Sequence, residues 1–394
     1  MSAADPIRVP HKPPQGGPLR EVAAVFLRLG ATAFGGPAAH IAMMEEELVR
    51  RRAWLSREEF LDLIGAANLI PGPNSTELAL FLGQRRAGWL GLVVAGTAFI
   101  LPASLITGVI AWSYVRWGTL PELRGVFNAV QPVIPVVFLQ ALWGLGSSAL
   151  KSRLHWLIAA GSVAAIVAGM HELPLLAVAG FVVLGVEQFG SVGPTVPSVL
   201  AWIPGLGSTA PAGTPSVPIT PTSLFGFFLK TGSILFGSGY VLMAFLRADL
   251  VDRWHWISER QLLDAIAVGQ FTPGPVFTTA TFIGYLLAGT SGAVAATAGI
   301  FLPAFGFVAM GTWLLRVLGS SRQARSFLDG LNTASLALMA VVFIRMAAQI
   351  PVHWVSALTL GMAVIGSLVW KVQSTWPILG AAVVGFLAAR NGWW

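Results

Sequence analysis

The chain has no cysteine and very little charge. Without cysteine it forms no disulfide, binds no metal through thiolates and uses no cysteine nucleophile. Charged residues make up 10% of the 394 positions, whereas a soluble domain has about 25%. Apolar residues make up 55%, and the mean hydropathy is +0.74. This composition argues against a soluble enzyme and indicates a protein that lies within a lipid bilayer.

Sequence motifs of several enzyme classes are also missing. The chain has no Walker motif, no dinucleotide fingerprint and no nucleophile elbow, and its six histidines show no metal-ligand spacing. We therefore expect no cofactor, no metal, no catalytic residue and no ATP-driven step. The net charge of +7 arises from basic residues between apolar runs. It fits cytoplasmic loops better than a nucleic-acid surface, so we expect no nucleic-acid partner.

What the chain does contain is an internal repeat. Pro71-Gly72-Pro73 recurs as Pro273-Gly274-Pro275, and Phe34-Gly35 recurs as Phe236-Gly237, both at an offset of 202 residues. One residue then drops out, and Leu101-Pro102 recurs as Leu302-Pro303 at an offset of 201. A constant register with a single slip indicates a duplicated unit. Duplicated units of this length and composition are typical of membrane transporters.

The repeat divides the chain into four predicted segments. These are a disordered polar tail (1–18), a first membrane repeat (19–189), a linker rich in Gly, Pro, Ser and Thr (190–221), and a second membrane repeat (222–394). We predict an all-α polytopic membrane protein of two homologous halves. Each half would have roughly five spanning helices, a number that internal Gly and Pro residues leave open.

The distribution of basic residues bears on the orientation of the halves. Lys and Arg occupy alternate connections in the first copy and the other set of connections in the second. By the positive-inside rule this pattern predicts an inverted-topology repeat. Arg253 and Arg260 do not follow the pattern.

Each Pro-Gly-Pro turn must break a helix, because proline lacks an N–H and disfavours a helical residue before it. Such a break is tolerated in a membrane only where it is buried in protein or lines an aqueous cavity. The half-helix after the break, beginning near Asn74 or Val276, presents free N–H groups and a positive dipole end, which suit an anion. The alternative is a kink that binds no ligand.

The predicted substrate-binding residues are the two turns and the polar side chains beside them. They are Asn68, Pro71, Gly72, Pro73, Asn74 and Ser75 in the first copy, and Gln270, Thr272, Pro273, Gly274, Pro275 and Thr278 in the second. Their hydroxyls and amides can donate hydrogen bonds to oxyanion oxygens. The alternative is that the hydroxyls bond back to their own helix.

Three charged residues in apolar segments complete the predicted site. Arg28 and Lys230 are matched between the copies and would attract an anion, or else pair with an acid or reach a headgroup. Glu77 has no matched acid in the second copy and is a proton-coupling candidate. Its alternative role is an ion pair with Arg85 or Arg86.

The chain resembles the chromate ion transporter family, as a long two-domain member. The resemblance lies in Phe34-Gly35-Gly36-Pro37, Trp54-Leu55, Pro71-Gly72-Pro73 and Leu101-Pro102, with a weaker version of the pattern at 236–303. It implies a multi-pass protein of the bacterial inner membrane that exports chromate, driven by the proton motive force, and confers chromate resistance. Chromate or sulfate and protons would then be its partners, with a monomer or a homodimer in the bilayer.

Three other functions stay open at this point. Sulfate is a tetrahedral dianion of similar size and charge, so sulfate or oxyanion uptake is the first alternative. A passive anion channel would need the same hairpins but no proton carrier. A membrane-embedded chromate reductase is disfavoured because the chain lacks cysteine and cofactor motifs.

Overall fold

The computed structural model of the chain describes residues 18–189, 218–235, 239–311, 322–348, 350, 353–370 and 372–393. The predicted tail lies outside this set except for Pro18, and so does the linker except for its last four residues. Phe236-Gly237, the predicted partner of Phe34-Gly35, also lies outside it. Every regular element of the described residues is helical, which confirms the predicted all-α class.

The first half contains eight α-helices among its described residues. They are α1 (Pro18–Thr32), α2 (Gly36–Met44), α3 (Arg57–Ala67), α4 (Asn74–Trp117), α5 (Pro121–Val130), α6 (Val133–Ala149), α7 (Arg153–Val167) and α8 (Glu172–Phe189). A π-helical turn, Glu45–Arg51, extends α2.

The second half repeats this order. Its described helices are α9 (Pro221–Ile234), α10 (Gly239–Leu246), α11 (Glu259–Phe271), α12 (Thr279–Ala309), α13 (Arg322–Ala347), α14 (Trp354–Val364) and α15 (Thr375–Arg390). A π-helical turn, Arg247–Arg253, extends α10, and a 3₁₀ turn, Val276–Thr278, precedes α12.

Local irregularities recur at matched positions in the two halves. The π-helical turns that follow α2 and α10 lie 202 residues apart, in the register of the sequence repeat. The long helices α4 and α12 both kink at an Ala-Gly pair, where Gly88 has φ 64° and Gly289 has φ 62°. These shared departures from ideal helix geometry confirm that the halves are homologous. The inverted orientation of the halves stays a prediction.

Four helical segments among the described residues are long and apolar enough to cross a membrane. They are Asn74–Trp117, Pro121–Ser147, Val276–Ala309 and Gln323–Ala347, with shorter apolar helices at Arg153–Val167, Trp354–Ser367 and Thr375–Arg390. The first and third belong to α4 and α12, which pack against each other across the boundary between the halves. The two Pro-Gly-Pro turns are buried and directly precede these two helical segments.

Small residues allow the first helix of each half to pack closely on the long helix of that half. A methyl group on Gly30 would lie 2.4 Å from the backbone oxygen of Phe99, and one on Gly232 would lie 2.4 Å from that of Ile300. Backbone oxygens cannot move away as a flexible side chain can. These two glycines therefore set the approach of α1 to α4 and of α9 to α12.

We expect Gly232→Ala to destabilise the protein by about 1–3 kcal/mol, the usual effect of overpacking a close-packed interior. Gly226→Ala is the matched control, because it lies on the same helix and a methyl group there would meet no atom within 4 Å. The control should leave the melting temperature unchanged or raise it slightly, since alanine favours helix by up to ~1 kcal/mol. Thermal unfolding in detergent compares the two. Equal melting temperatures would show that α9 and α12 are less closely packed.

Candidate functional site

The first Pro-Gly-Pro turn joins α3 to α4 as a buried hairpin. Helix α3 ends at Ala67, and α4 begins at Asn74, directly after Pro73 in extended conformation. Gly72 has φ 136°, a conformation that L side chains rarely adopt. The predicted start of a half-helix near Asn74 is therefore confirmed. The N–H groups of Thr76 and Glu77 donate to the Pro73 oxygen at 2.7 and 3.2 Å, and those of Asn74 and Ser75 have no acceptor among the described residues. These two N–H groups can bind an anion.

The second turn has the same form and joins α11 to the 3₁₀ turn before α12. Gly274 has φ 86°, and the new helical segment begins at Val276, where the sequence pattern predicts it. Both hairpins thus break a helix next to the long kinked helix that follows.

Each turn is held by a backbone hydrogen bond to the first helix of the opposite half. The Gly72 N–H donates to the Leu235 oxygen at 2.7 Å, and the Gly274 N–H donates to the Ala33 oxygen at 2.8 Å. Leu235 and Ala33 end the first helix of each half, 202 residues apart. The hairpin of each half is therefore hydrogen-bonded to the other half. A displacement of one turn would displace the end of a helix in the opposite half.

Polar side chains of the first hairpin face a cavity. The Asn74 Nδ2 donates to the Asn68 Oδ1 at 2.6 Å, so two predicted residues lie together. Both line a cavity of about 440 Å³. The other lining residues are Leu145, Ala149, Lys151, Val241, Asp329, Asn332, Ser335, Leu336 and Met339. We call this the hairpin cavity. It combines a cation, amides and a hydroxyl at the N-terminus of a long helix.

Four polar residues of the hairpin cavity, Lys151, Asp329, Asn332 and Ser335, are not predicted from the sequence. The Lys151 Nζ lies 2.7 Å from the Asp329 Oδ1, across 178 residues of sequence. The Ser335 hydroxyl is buried and has no hydrogen-bond partner in the described part of the chain. The sequence indicates only that Lys151 is a basic residue in a connection between apolar runs. No sequence motif links α13 to the first hairpin. Only the packing of α13 against α6 and α7 brings these residues together.

The polar residues of the second hairpin are arranged differently. Thr272 and Thr278 donate their hydroxyl hydrogens to the backbone oxygens of Val268 and Pro275, both at 2.9 Å. This is the alternative of a hydroxyl that bonds its own helix. Gln270 is buried, and its Nε2 has no acceptor among the described residues. The hairpin cavity therefore lies beside the first hairpin and is lined by residues of both halves, whereas the polar side chains of the second hairpin are buried.

Glu77 lies in the first turn of α4, fully buried against the Pro-Gly-Pro loop. A methyl group on Gly72 would come within 2.3 Å of its Oε1. Neither carboxyl oxygen has a hydrogen-bond partner in the described residues. Arg85 and Arg86 pair with Glu59 and Glu21 instead. The predicted alternative of an ion pair between Glu77 and these arginines is thus not what the structure contains.

Arg28 and Lys230 each contact an acid of their own half. Arg28 pairs with Glu47, and the Lys230 Nζ lies 3.5 Å from the Asp249 Oδ2. Burial would raise the pKa of Glu47, but hydrogen bonds and charge from Arg52 and Arg28 outweigh it and lower that pKa below its ordinary value. Both basic side chains are about half exposed, at 51% and 44%. In this conformation their charges are compensated, and an anion has to displace an acid to reach them.

A second, larger cavity is unsuited to an anion. It measures about 700 Å³ and lies between α4 and α12, lined by residues such as Leu105, Trp112 and Val294. None of its lining residues is charged. Many of them are exposed apolar side chains, as expected of a surface in contact with acyl chains. Within the described residues no group of three or more potential metal ligands occurs.

Comparison with known proteins gives one family. The family model described as "Chromate transporter" matches residues 20–186 and 222–386, one match in each half. A chromate transport protein of Cupriavidus metallidurans is 31% identical over 380 residues, covering 94% of this chain and 93% of its own length. One from Pseudomonas aeruginosa is 30% identical over 396 residues, covering 96% and 94%.

Similar proteins also occur in archaea. An uncharacterized transporter of Methanocaldococcus jannaschii is 26% identical over 389 residues, covering 92% of both chains. No solved structure matches the chain.

Proposed function

The chain belongs to the chromate transporter family, and from this premise we propose that it exports chromate across the bacterial inner membrane, driven by the proton motive force. Its relatives are transporters, and its apolar helices make it a multi-pass membrane protein. Direction, energy coupling and the inner membrane as its location are parts of the proposal.

The observation that carries the proposal is the hairpin cavity. A tetrahedral dianion needs hydrogen-bond donors on several sides and compensation of its charge. The cavity offers the Lys151 ammonium, the amides of Asn68 and Asn74, the unpartnered Ser335 hydroxyl and the N-terminus of α4. The helix dipole adds a positive potential at the same end. No other described cavity combines these features.

The Lys151–Asp329 pair indicates how the site is kept closed without substrate. Lys151 is 54% exposed and Asp329 is 30% exposed, so both lie where water and ions reach them. An entering dianion competes with the Asp329 carboxylate for the lysine. Asp329 thereby serves as a counter-ion in the empty state and is released when chromate binds. In the pairs Arg28–Glu47 and Lys230–Asp249, the acid would likewise be a counter-ion that a passing anion replaces.

Sulfate remains a second substrate in this proposal. The donors of the hairpin cavity recognise a tetrahedral dianion and contain nothing that distinguishes chromium from sulfur. Sulfate uptake is therefore an alternative outcome of the same test. We propose Glu77, a buried carboxyl group without a hydrogen-bond partner among the described residues, as the proton carrier. A passive channel is less well supported, because it gives Glu77 no role.

Uptake of radiolabelled chromate into energised inverted membrane vesicles tests the proposal. We expect accumulation that a protonophore abolishes and that excess sulfate reduces. Vesicles without the protein give the baseline. Accumulation that persists with the protonophore would indicate a passive channel. No accumulation, with the protein verified in the membrane, would overturn chromate export, and sulfate flux in the opposite direction would then be measured.

We expect Lys151→Met to lower the apparent affinity for chromate roughly ten- to a hundredfold, the effect of losing one charge-assisted hydrogen bond. Asp329→Asn should do the reverse and raise affinity, because it removes the competing carboxylate. Arg153→Gln is the control, since Arg153 is exposed and lies two residues beyond Lys151, outside the cavity. Initial transport rates against chromate concentration give all three values. Equal affinities for the lysine and control variants would move the anion site elsewhere.

A further inference from the structure

His40 connects the two Pro-Gly-Pro hairpins through hydrogen bonds. Its imidazole is 1% exposed and packs edge-on against Phe99. One ring nitrogen, Nε2, lies 3.1 Å from the Ala33 oxygen, which also accepts the Gly274 N–H of the second hairpin. The other, Nδ1, lies 3.2 Å from the Ser75 Oγ of the first hairpin. The ring thus bridges a residue of one hairpin and the acceptor of the other.

The chemistry of the partners fixes where the hydrogens are. A carbonyl oxygen only accepts, so Nε2 carries a hydrogen and donates it to Ala33. In the neutral ring Nδ1 is then an acceptor, and the Ser75 hydroxyl donates to it. Adding one proton at Nδ1 reverses this bond. The imidazolium donates to the Ser75 oxygen, and the serine hydrogen is free for another acceptor.

The second half shows that this polar pair is not needed for folding. The position of His40 is filled there by Leu242, and that of Ser75 by Val276 or Phe277, depending on where the one-residue slip falls. All three are buried apolar residues. The same hairpin architecture is therefore built there without a histidine–serine pair, which argues for a functional role of His40 and Ser75 in the first half.

We propose that His40 takes up a proton when the anion binds, and that this proton turns the Ser75 hydroxyl from His40 towards the anion. The inference rests on the proposed anion site at the start of α4, where Ser75 follows Asn74. It makes His40 a positioning residue that acts through Ser75.

Other charged groups lie on the helices that pack against α2. They are Arg20, Glu21 and Arg28 on α1; Glu45, Glu46, Glu47, Arg50 and Arg51 on the π-helical turn; and Glu77, Arg85, Arg86 and Arg116 on α4. Arg28, Glu46 and Arg86 are members of ion pairs within this set. Glu77, two residues after Ser75, is the neighbour that also carries a proton in our proposal. The test must therefore separate His40 from Glu77.

Nitrogen NMR of the full-length protein with labelled histidine tests the hydrogen-bond assignment without any anion. The resonances of His40 are identified by their loss in His40→Gln. We expect the Nε2–H tautomer in the anion-free protein and the doubly protonated ring after saturation with sulfate at the same pH. An Nδ1–H tautomer, or a ring that stays neutral with sulfate bound, would overturn the inference.

Calorimetric titration with sulfate in two buffers of different ionisation enthalpy counts the protons taken up. We expect the wild type to take up protons when sulfate binds. His40→Gln and Ser75→Ala should both lose the part of this uptake that is due to His40, and their affinity for sulfate at acidic pH should fall roughly tenfold. Glu77→Gln should keep the proton uptake that is due to His40. His155→Gln is the matched control, because His155 is another buried histidine bonded to a serine, Ser152, at 2.8 Å.

The outcomes separate the inference from the proposed function. Sulfate binding with unchanged proton uptake in His40→Gln would overturn the role of His40 and leave the anion site intact. Absence of any sulfate or chromate binding by the wild type would overturn the anion site and, with it, the coupling. The Nε2–H tautomer would then stand as a structural finding only.

Discussion

Gly274→Ala is expected to abolish chromate transport and to lower the melting temperature. A methyl group at this position would lie 2.6 Å from the Ala103 Cβ and 3.0 Å from the Gly30 oxygen. Neither atom is at the end of a flexible side chain, so a helix has to move. The positive φ of 86° adds strain of about 1–2 kcal/mol to an overpacking cost of about 1–3 kcal/mol. Transport per inserted protein and thermal unfolding measure both effects.

The equivalent change in the first hairpin should have a different balance of effects. At Gly72 the crowded atom is the Glu77 Oε1, which a side-chain rotation can move. Alanine is strained at both positions, because φ is 136° at Gly72 and 86° at Gly274. Gly72→Ala is therefore expected to impair transport about tenfold or more, with a fall in melting temperature that arises from backbone strain and not from overpacking. The difference would show that the first turn is shaped around a functional side chain and the second around backbone packing.

Gly289→Ala controls for backbone strain in the same helix system. Gly289 also has a positive φ, 62°, but a methyl group there would meet nothing within 4 Å. It should lower the melting temperature through strain alone and keep transport above the level of Gly274→Ala. Equal transport in the two variants would indicate that flexibility at the kink, and not contact between the hairpins, limits the cycle.

The fold was predictable from the sequence because its signals are local or repeated. Proline in an apolar stretch breaks a helix wherever it occurs, so the start of α4 at Asn74 followed from Pro73 alone. The register of the repeat carried that conclusion to Val276. The kinks in α4 and α12 were not predicted, since a single glycine in an apolar helix is usually accommodated without one.

The site was only half predictable, because side-chain partners depend on how helices rotate and pack. Asn68 and Asn74 are close in sequence and on the same hairpin, and they lie together as their position indicates. Lys151 and Asp329 belong to different halves, and only tertiary packing makes them neighbours. The sequence predicts that Arg28 and Lys230 either attract an anion or pair with an acid, but it does not identify Glu47 and Asp249 as the partners.

Glu77→Gln is expected to separate chromate movement from the proton gradient. The carboxyl group is fully buried and has no hydrogen-bond partner in the described residues, and an ionised carboxylate without a partner is costly in such a place. We propose that Glu77 changes its charge only when the hairpin opens to water, so that its proton is tied to the transport cycle. Glutamine keeps the shape and cannot take part. Chromate flux should lose most of its response to a protonophore, while binding stays within a few fold of the wild type.

The melting temperature of Glu77→Gln distinguishes a coupling role of Glu77 from a structural role. Because glutamine replaces a partnerless buried acid by a neutral group of the same shape, the melting temperature should stay the same or rise. Glu58→Gln, an exposed acid on α3, is the control and should leave coupling intact. If the Glu77 variant still responded fully to the protonophore, the coupling proton would be carried elsewhere, and His40 would be the remaining buried group beside the same hairpin. If coupling and melting temperature fell together, Glu77 would instead be a structural member of the turn.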